Sequence, residues 1–262
     1  MVRRARSFSS SGVISCHYNC EMAQLYAGTS GFAYPSWKPA FYPAGLPDKR
    51  FLEHYATRLN SVEINYTYHR TPSAATLEKW VRATPEHFRF ALKAHMRLTH
   101  VMRLRNAQEA TDLFVRAIDP LRAVKRLGPL LFQLPPNLKC DVNLLDDYVS
   151  ALPKDLQYAF EFRHESWLQE PVYEVLRRHG ISLCVAESER MEAPEVITAG
   201  FVYYRLRKPE YSSEDLDEIA RRSNALVAEG RTLYLMFKHE ETPEGALNAE
   251  RVLTQVRARA AS

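Results

Sequence analysis

The stretch "QYAFEFRHESWLQEPVYEVLRRHGISLCVAES", residues 157–188, decides the fold. Its first eight residues alternate: Phe160 and Phe162 fall on one face of an extended chain, Glu161 and Arg163 on the other. The segment "EPVYEVLRRHG" (170–180) has helical spacing and ends on Gly180, where a glycine following a helix belongs. The apolar run "ISLCVAES" (181–188) is a second strand. Strand, helix, strand in this order implies two parallel strands joined by a crossover helix.

The same unit repeats in both directions along the chain. Upstream lie "LYAGTSG" (25–31), "SVEINYTY" (61–68), "FRFALKAH" (88–95) and "PLLFQLPP" (129–136); downstream lie "FVYYRLRK" (201–208) and "RTLYLMFKHE" (231–240). Helical segments follow nearly all of them, including "DKRFLEHYATRL", "SAATLEKWVRAT", "AQEATDLFVRAIDPLRAVKRL" (interrupted at Pro120), "DVNLLDDYVSAL", "SSEDLDEIARRSNALVAEG" and "TPEGALNAERVLTQVRAR". "SSED" carries the signature of a capped helix start. Eight strand runs in about 250 residues predict a single α/β domain, a TIM-like (β/α)8 barrel of eight parallel strands. An open doubly wound sheet would carry a glycine-rich phosphate loop after its first strand, and "GTSGF" (28–32) is not that fingerprint.

Composition agrees with a folded globular chain: 262 residues, 46% hydrophobic, 25% charged, formal net charge +4. So mild a charge excludes a protein that coats nucleic acid over its whole surface, and no apolar run approaches the roughly 18 residues of a membrane span. Four cysteines (Cys16, Cys20, Cys140, Cys184) are too few for a disulfide framework, and "CHYNC" (16–20) lacks a second Cys/His pair to close a zinc site. A reducing, cytoplasmic setting is the expectation. Residues 1–24 are Ser-rich and carry Arg3, Arg4 and Arg6 against Glu21. They resemble a transit peptide in composition, but read more simply as a disordered or over-extended start, with Met22 just before the first strand. The barrel domain is expected over 25–258.

In such a barrel the active site gathers at the C-terminal ends of the strands. Ionisable or polar residues recur there, each in the later half of its strand. Ser30 ends the first; Glu63 and Asn65 share a face of the second, Lys93 and His95 of the third. Gln133 lies on the fourth, Glu161 and Arg163 on the fifth, Glu187 ends the sixth, Arg205 is on the seventh and Lys238 on the eighth. One buried ion pair would explain one strand. A shared polar site at the barrel mouth explains all eight. The loop "HMRLTHVMRLR" (95–105) brings Arg97, His100, Arg103 and Arg105 toward the same end. The first loop, "FAYPSWKPAFYPAGLP", offers Trp37, Phe41 and Tyr42, either as a ligand wall or as the loop's own small core.

Seven motifs occur in a fixed order: "GTSGF", "SW…FYP", "SVEINYTYHRTP", "FRFALKAHMRLTH", "LGPLLFQLPP", "FEFRHESW" and "YYRL". Together they resemble the YecE-like family, domain of unknown function 72, over about residues 25–255. The resemblance implies a TIM barrel and leaves the chemistry open. Family members typically have His-Gly after the strand-seven "RL" and paired asparagines ending strand eight. This chain has Arg207-Lys208 and Lys238-His239, and both departures add positive charge at the mouth.

These residues predict an enzyme acting on a phosphorylated or other small anionic ligand, a phosphoester hydrolase or lyase. Arg163 and Arg205 would clamp the anion, Lys93 or Lys238 would add point charge, and Glu161 or Glu63 would serve as general base. A divalent metal on Glu63, Glu161, Glu187 and His95 is a second arrangement that these donors allow, although the nearby cations compete for the carboxylates. The alternative is a nucleic-acid-binding or repair-associated barrel without base-sequence specificity, its basic rim holding backbone and its aromatics an unstacked base. A glycosidase pair of Glu63 and Glu161 ranks third, because an acid catalyst needs its pKa raised and clustered cations do the opposite.

Overall fold

A computed structural model describes residues 23–187, 191, 193–238 and 241–260, the side chains of the last two excepted. The expected N-terminal extension falls outside these residues except for positions 23 and 24, as do Cys16, Cys20 and His239. Eight strands form one parallel sheet: β1 (Leu25–Thr29), β2 (Ser61–Ile64), β3 (Arg89–Lys93), β4 (Leu127–Gln133), β5 (Tyr158–Glu161), β6 (Ser182–Ala186), β7 (Phe201–Leu206) and β8 (Thr232–Phe237). Consecutive strands pair from β2 through β8, and β8 pairs in turn with β1 from Leu25↔Leu233 to Thr29↔Phe237. The chain is therefore a (β/α)8 barrel, as expected.

Helices cover the outside: α1 (Phe51–Arg58), α2 (Ala74–Arg82), α3 (Gln108–Ala117), α4 (Asp119–Ala123), α5 (Val142–Ser150), α6 (Glu170–His179), α7 (Ser213–Ala228) and α8 (Glu244–Ala260). Pro120 splits α3 from α4, because proline cannot donate the hydrogen bond that a continuous helix needs. The α6 helix buries Val172, Tyr173, Val175 and Leu176, one stripe at helical spacing, and ends on Gly180 at φ 64°. The α7 start is a capping box between Ser212 and Asp215. Among the described residues no helix follows β6, the one crossover that breaks the alternation. None of the described helices is long and apolar enough to cross a membrane.

Side-chain alternation divides the apolar residues into two layers. Phe90, Leu92, Phe132, Phe160 and Phe162 belong to the larger layer between sheet and helices. Tyr26, Ala91, Leu131, Ala159, Cys184, Tyr203, Tyr234 and Met236 fill the barrel interior. Each fully buried aliphatic or aromatic side chain is worth about 1.5–3 kcal/mol, so the barrel is held by its core. The interior is packed and is not a pore.

The seam between β1 and β2 closes mainly through side chains. Asn60 accepts from Ala27 N–H and donates to Leu25 O, both at 2.8 Å, acting as a ladder rung. The Tyr55 hydroxyl accepts from Thr29 N–H (2.8 Å) and donates to Ser61 O (2.9 Å). One backbone bridge, Ser30↔Glu63, completes the seam at the top. The strands come so close that a Cβ on Gly28 would lie 1.9 Å from Ser61 O, so only glycine fits.

Candidate active site at the barrel mouth

The closed barrel brings the inward faces of β2, β5 and β7 to one point. Arg205 on β7 donates from one Nη to Glu161 Oε2 and from the other to Glu63 Oε1, each at 2.6 Å. All three are buried: Arg205 is 1% exposed, Glu63 0% and Glu161 2%. Ser30 Oγ–H (2.8 Å) and Tyr203 O–H (2.9 Å) donate to Glu63. Gln133 Nε2 lies 2.9 Å from both oxygens of Glu161.

Two further arginines approach Glu161 from the solvent side. Arg163 Nε donates to Oε1 at 3.2 Å, and Arg207 Nη2 lies 3.2 and 3.3 Å from the two oxygens. Burial alone would raise the proton affinity of both carboxyls. Arg205 with the hydrogen bonds from Ser30 and Tyr203 together outweigh it at Glu63, and Arg205, Arg207, Arg163 and Gln133 together outweigh it at Glu161, so each is held below the ordinary 4.5. Burial also works against the charge on Arg205, yet its two carboxylates overcompensate and hold that proton more tightly. Burial raises the Tyr203 hydroxyl, which stays protonated as a donor.

Lys93 ends β3 on the same inner face. Its Nζ lies 4.2 Å from the centre of the Tyr68 ring, and among the described residues it has no hydrogen bond or ion pair. Burial, then Arg205, lower its pKa to about 8 against a partial pull from Glu63 and Glu161. The Tyr68 face favours the cation by about 0.5–1 kcal/mol and returns a fraction of that shift. His100 meets the other side of the cluster, its ring 5.2 Å from Tyr68 and its Nδ1 2.9 Å from Thr99 Oγ1. Burial and the charge of Lys93 push its pKa below 6.5, leaving a neutral imidazole at pH 7.

The remaining expected residues divide clearly. Asn65 follows β2, and its Oδ1 is buried with no partner among the described residues. Lys238 sits just past β8, its N–H bonded to Leu206 O at 2.9 Å. Glu187 accepts backbone N–H groups from Arg207 (2.6 Å) and Lys208 (3.1 Å) and the Tyr211 hydroxyl, so it fixes the loop carrying Arg207. His95 Nδ1 accepts Arg97 N–H at 3.1 Å and holds the turn after β3. The donors imagined around a metal are thus spent on arginines and backbone, and no group of three or more His, Cys, Asp or Glu among the described residues is placed to hold an ion.

The reading of Trp37 and Tyr42 as a ligand wall is corrected. Both are 0% exposed and, with Phe41 and Phe51, form the loop's own core; Tyr42 stacks on Phe51 at 4.2 Å. Arg103 and Arg105 reach Asn137 and Asp141 and tie two loops together. The sequence reading passes over Tyr203 and notes Arg207 only as added positive charge at the mouth, though the signal for both is present. They stand two residues either side of Arg205, and the alternation that joins Glu161 to Arg163 joins them as well.

A family model described as "Protein of unknown function DUF72" matches residues 26–262. The UPF0759 protein YunF of Bacillus subtilis is 29% identical over 157 residues, covering 57% of this chain and 54% of the relative. The UPF0759 protein YecE of Escherichia coli K12 is 25% identical over 175 residues, 64% and 61% of the two chains. The chain thus spans somewhat over half the length of these curated relatives. A solved DUF72 family protein from Thermotoga maritima superposes with a TM-score of 0.78 at 28% identity, covering 91% of this chain and 100% of that one. A sugar phosphate isomerase/epimerase from Parabacteroides distasonis, at 10% identity and a TM-score of 0.52 (92% and 98% coverage), shares the fold alone. The match along nearly the whole barrel makes this chain a member of the DUF72 family.

Proposed function

We propose that the protein is an enzyme acting on a phosphorylated or other anionic substrate at the barrel mouth. The observation that carries this reading is a surplus of charge. Glu63 and Glu161 are opposed by Arg205, Arg163, Arg207 and Lys93, and the last three lie on the solvent side of the triad. Arg163 and Arg207 are 37% and 15% exposed, so their guanidinium groups can turn to an incoming anion. Arg205, expected as half of the clamp, is instead the buried centre that orients the others.

The general-base role expected of Glu161 or Glu63 moves to Lys93 and His100. A carboxylate pinned by several cations is a weak base, whereas an amine with a pKa of about 8 is near the range for proton transfer at neutral pH. Between hydrolase and lyase, this basic arrangement favours the lyase: the arginines hold the anionic group while Lys93 acts on the bond beside it.

The test is a thermal-shift panel of inorganic phosphate, sugar phosphates, nucleotides and short oligonucleotides, run with Arg207→Ala as control. A small phosphorylated ligand at 100 times its Kd stabilises by about 2.7 kcal/mol, and that shift is expected to vanish in the variant. A response to oligonucleotides alone, lost steeply with salt, would replace this reading with the nucleic-acid barrel. No response to any phosphate compound would sink both.

A further inference from the structure

We propose that Lys93 is an amine nucleophile, forming an iminium with an aldehyde or ketone that carries a phosphate or carboxylate group. The proposal rests on the anion-binding reading above and adds the substrate's reactive group.

Four observations converge on it. Lys93 ends a barrel strand on the inner face, at the level where barrel enzymes place reacting groups. Its neighbouring carboxylates are already saturated by Arg205, Arg163, Arg207, Gln133, Ser30 and Tyr203. An ammonium at such a place has one cation-stabilising contact in the described residues, the face of Tyr68. Lysines activated by desolvation and neighbouring cations are the ones that make Schiff bases. On the adjacent strand's end, Asn65 follows β2, whose Ile64 pairs with Leu92, and its Oδ1 is a buried acceptor with no partner among the described residues.

The step balances without an outside oxidant or reductant. The neutral Nζ attacks the carbonyl carbon, a C–N bond forms, and the carbonyl π pair moves to oxygen. His100, neutral and in contact with the same Tyr68 ring, carries a proton from nitrogen to that oxygen. A second proton, taken from solvent, lets the hydroxyl leave as water while the nitrogen lone pair makes C=N. Hydrolysis reverses each transfer and returns free Lys93. The iminium is an electron sink for breaking the adjacent C–C or C–H bond, which is lyase chemistry.

The experiment is reductive trapping on the full chain at pH 7. Protein is incubated with glyoxylate, an aldehyde bearing a carboxylate, then with borohydride, and the modified lysines are mapped by mass spectrometry. Lys93 is expected to be labelled at least ~30-fold faster than the exposed Lys49 and Lys139, because with a pKa of about 8 an appreciable fraction of it is neutral at that pH. Inorganic phosphate should slow the labelling of Lys93 and leave the other two unchanged. Lys93→Arg should abolish the adduct with the melting temperature preserved, and if that variant fails to fold, protection of wild-type Lys93 by phosphate still decides. Labelling of Lys49 and Lys139 with none at Lys93, in protein that still binds phosphate, overturns the nucleophile and leaves the anion site standing. Labelling of Lys93 that phosphate does not slow, with propionaldehyde reacting as fast as glyoxylate, overturns the anionic substrate class.

Discussion

Two of the described arginines are almost completely buried in this barrel, and they are buried in opposite ways. Arg126, 4% exposed, precedes β4 and donates to the carbonyls of Val81, Thr84 and Pro85 and to Thr84 Oγ1, around the C-terminal end of α2. One charge meets neutral acceptors at the negative end of a helix through its two Nη groups, its Nε having no partner among the described residues. Arg205, 1% exposed, meets two carboxylates, and Arg163 and Arg207 converge on one of them. Backbone carbonyls suffice to bury an arginine for structural ends. Assembling two acids and three arginines costs desolvation that packing alone does not require. The difference separates a cap from a site.

The largest effects should come from deleting each centre. Arg205→Met leaves Glu63 and Glu161 facing each other without their shared counter-charge, and should cost roughly 3–5 kcal/mol in urea unfolding. Arg126→Met removes hydrogen bonds to carbonyls and should cost about 1–3 kcal/mol. Equal losses would break the comparison.

Acid sharpens it. Glu63 and Glu161 have folded-state pKa values below the unfolded 4.5, so their stabilisation is complete above that pH and is lost as pH falls through the folded values. Glu161→Gln should flatten this acid limb, and Arg126→Met should leave it as steep as in wild type. Equilibrium unfolding at a series of pH values below 5 reads both.

Lys93 works in the other direction. Its pKa falls from 10.5 unfolded to about 8 folded, so at pH 7 the fold bears the full cost of a poorly held cation. Lys93→Met should therefore stabilise at pH 7 by about 2 kcal/mol, after allowing for the lost Tyr68 contact. The gain should shrink from pH 8 upward and vanish above 10.5, where both states are neutral. A stabilising substitution at the proposed reacting group is what a site that trades stability for activity displays. The smallest effect belongs to the rim: Arg103→Ala, whose contact with Asn137 is exposed, should change stability by less than about 0.5 kcal/mol.

Much of this was legible in the sequence. Strand alternation gave the eight runs, their inner faces and most of the mouth, because side-chain direction in a strand follows from position alone. Partnership was not legible. Arg205 bonds Glu63 and Glu161 across separations of 142 and 44 residues, contacts created only when the barrel closes. The same holds for Asn60 and Tyr55, which stand in for backbone partners along the β1–β2 seam and leave no periodic trace. Trp37 and Tyr42 had two readings because an aromatic loop looks alike whether it packs on itself or on a ligand; the shared contacts with Phe41 and Phe51 decide for packing. Glu187 was read as a carboxylate for chemistry and proved to be a clip for the β7 loop, since its acceptors are filled by backbone N–H groups.

The central claim is that the cations above the buried triad form an anion site. Calorimetric titration of inorganic phosphate into wild type, Arg207→Ala and Arg103→Ala tests it most directly. Loss of a charge-assisted hydrogen-bonding partner worth roughly 1.5–3 kcal/mol should weaken binding about 10- to 150-fold in Arg207→Ala, with Arg103→Ala matching wild type. Equal weakening in both variants, or none in Arg207→Ala, would place the anion elsewhere and contradict the account.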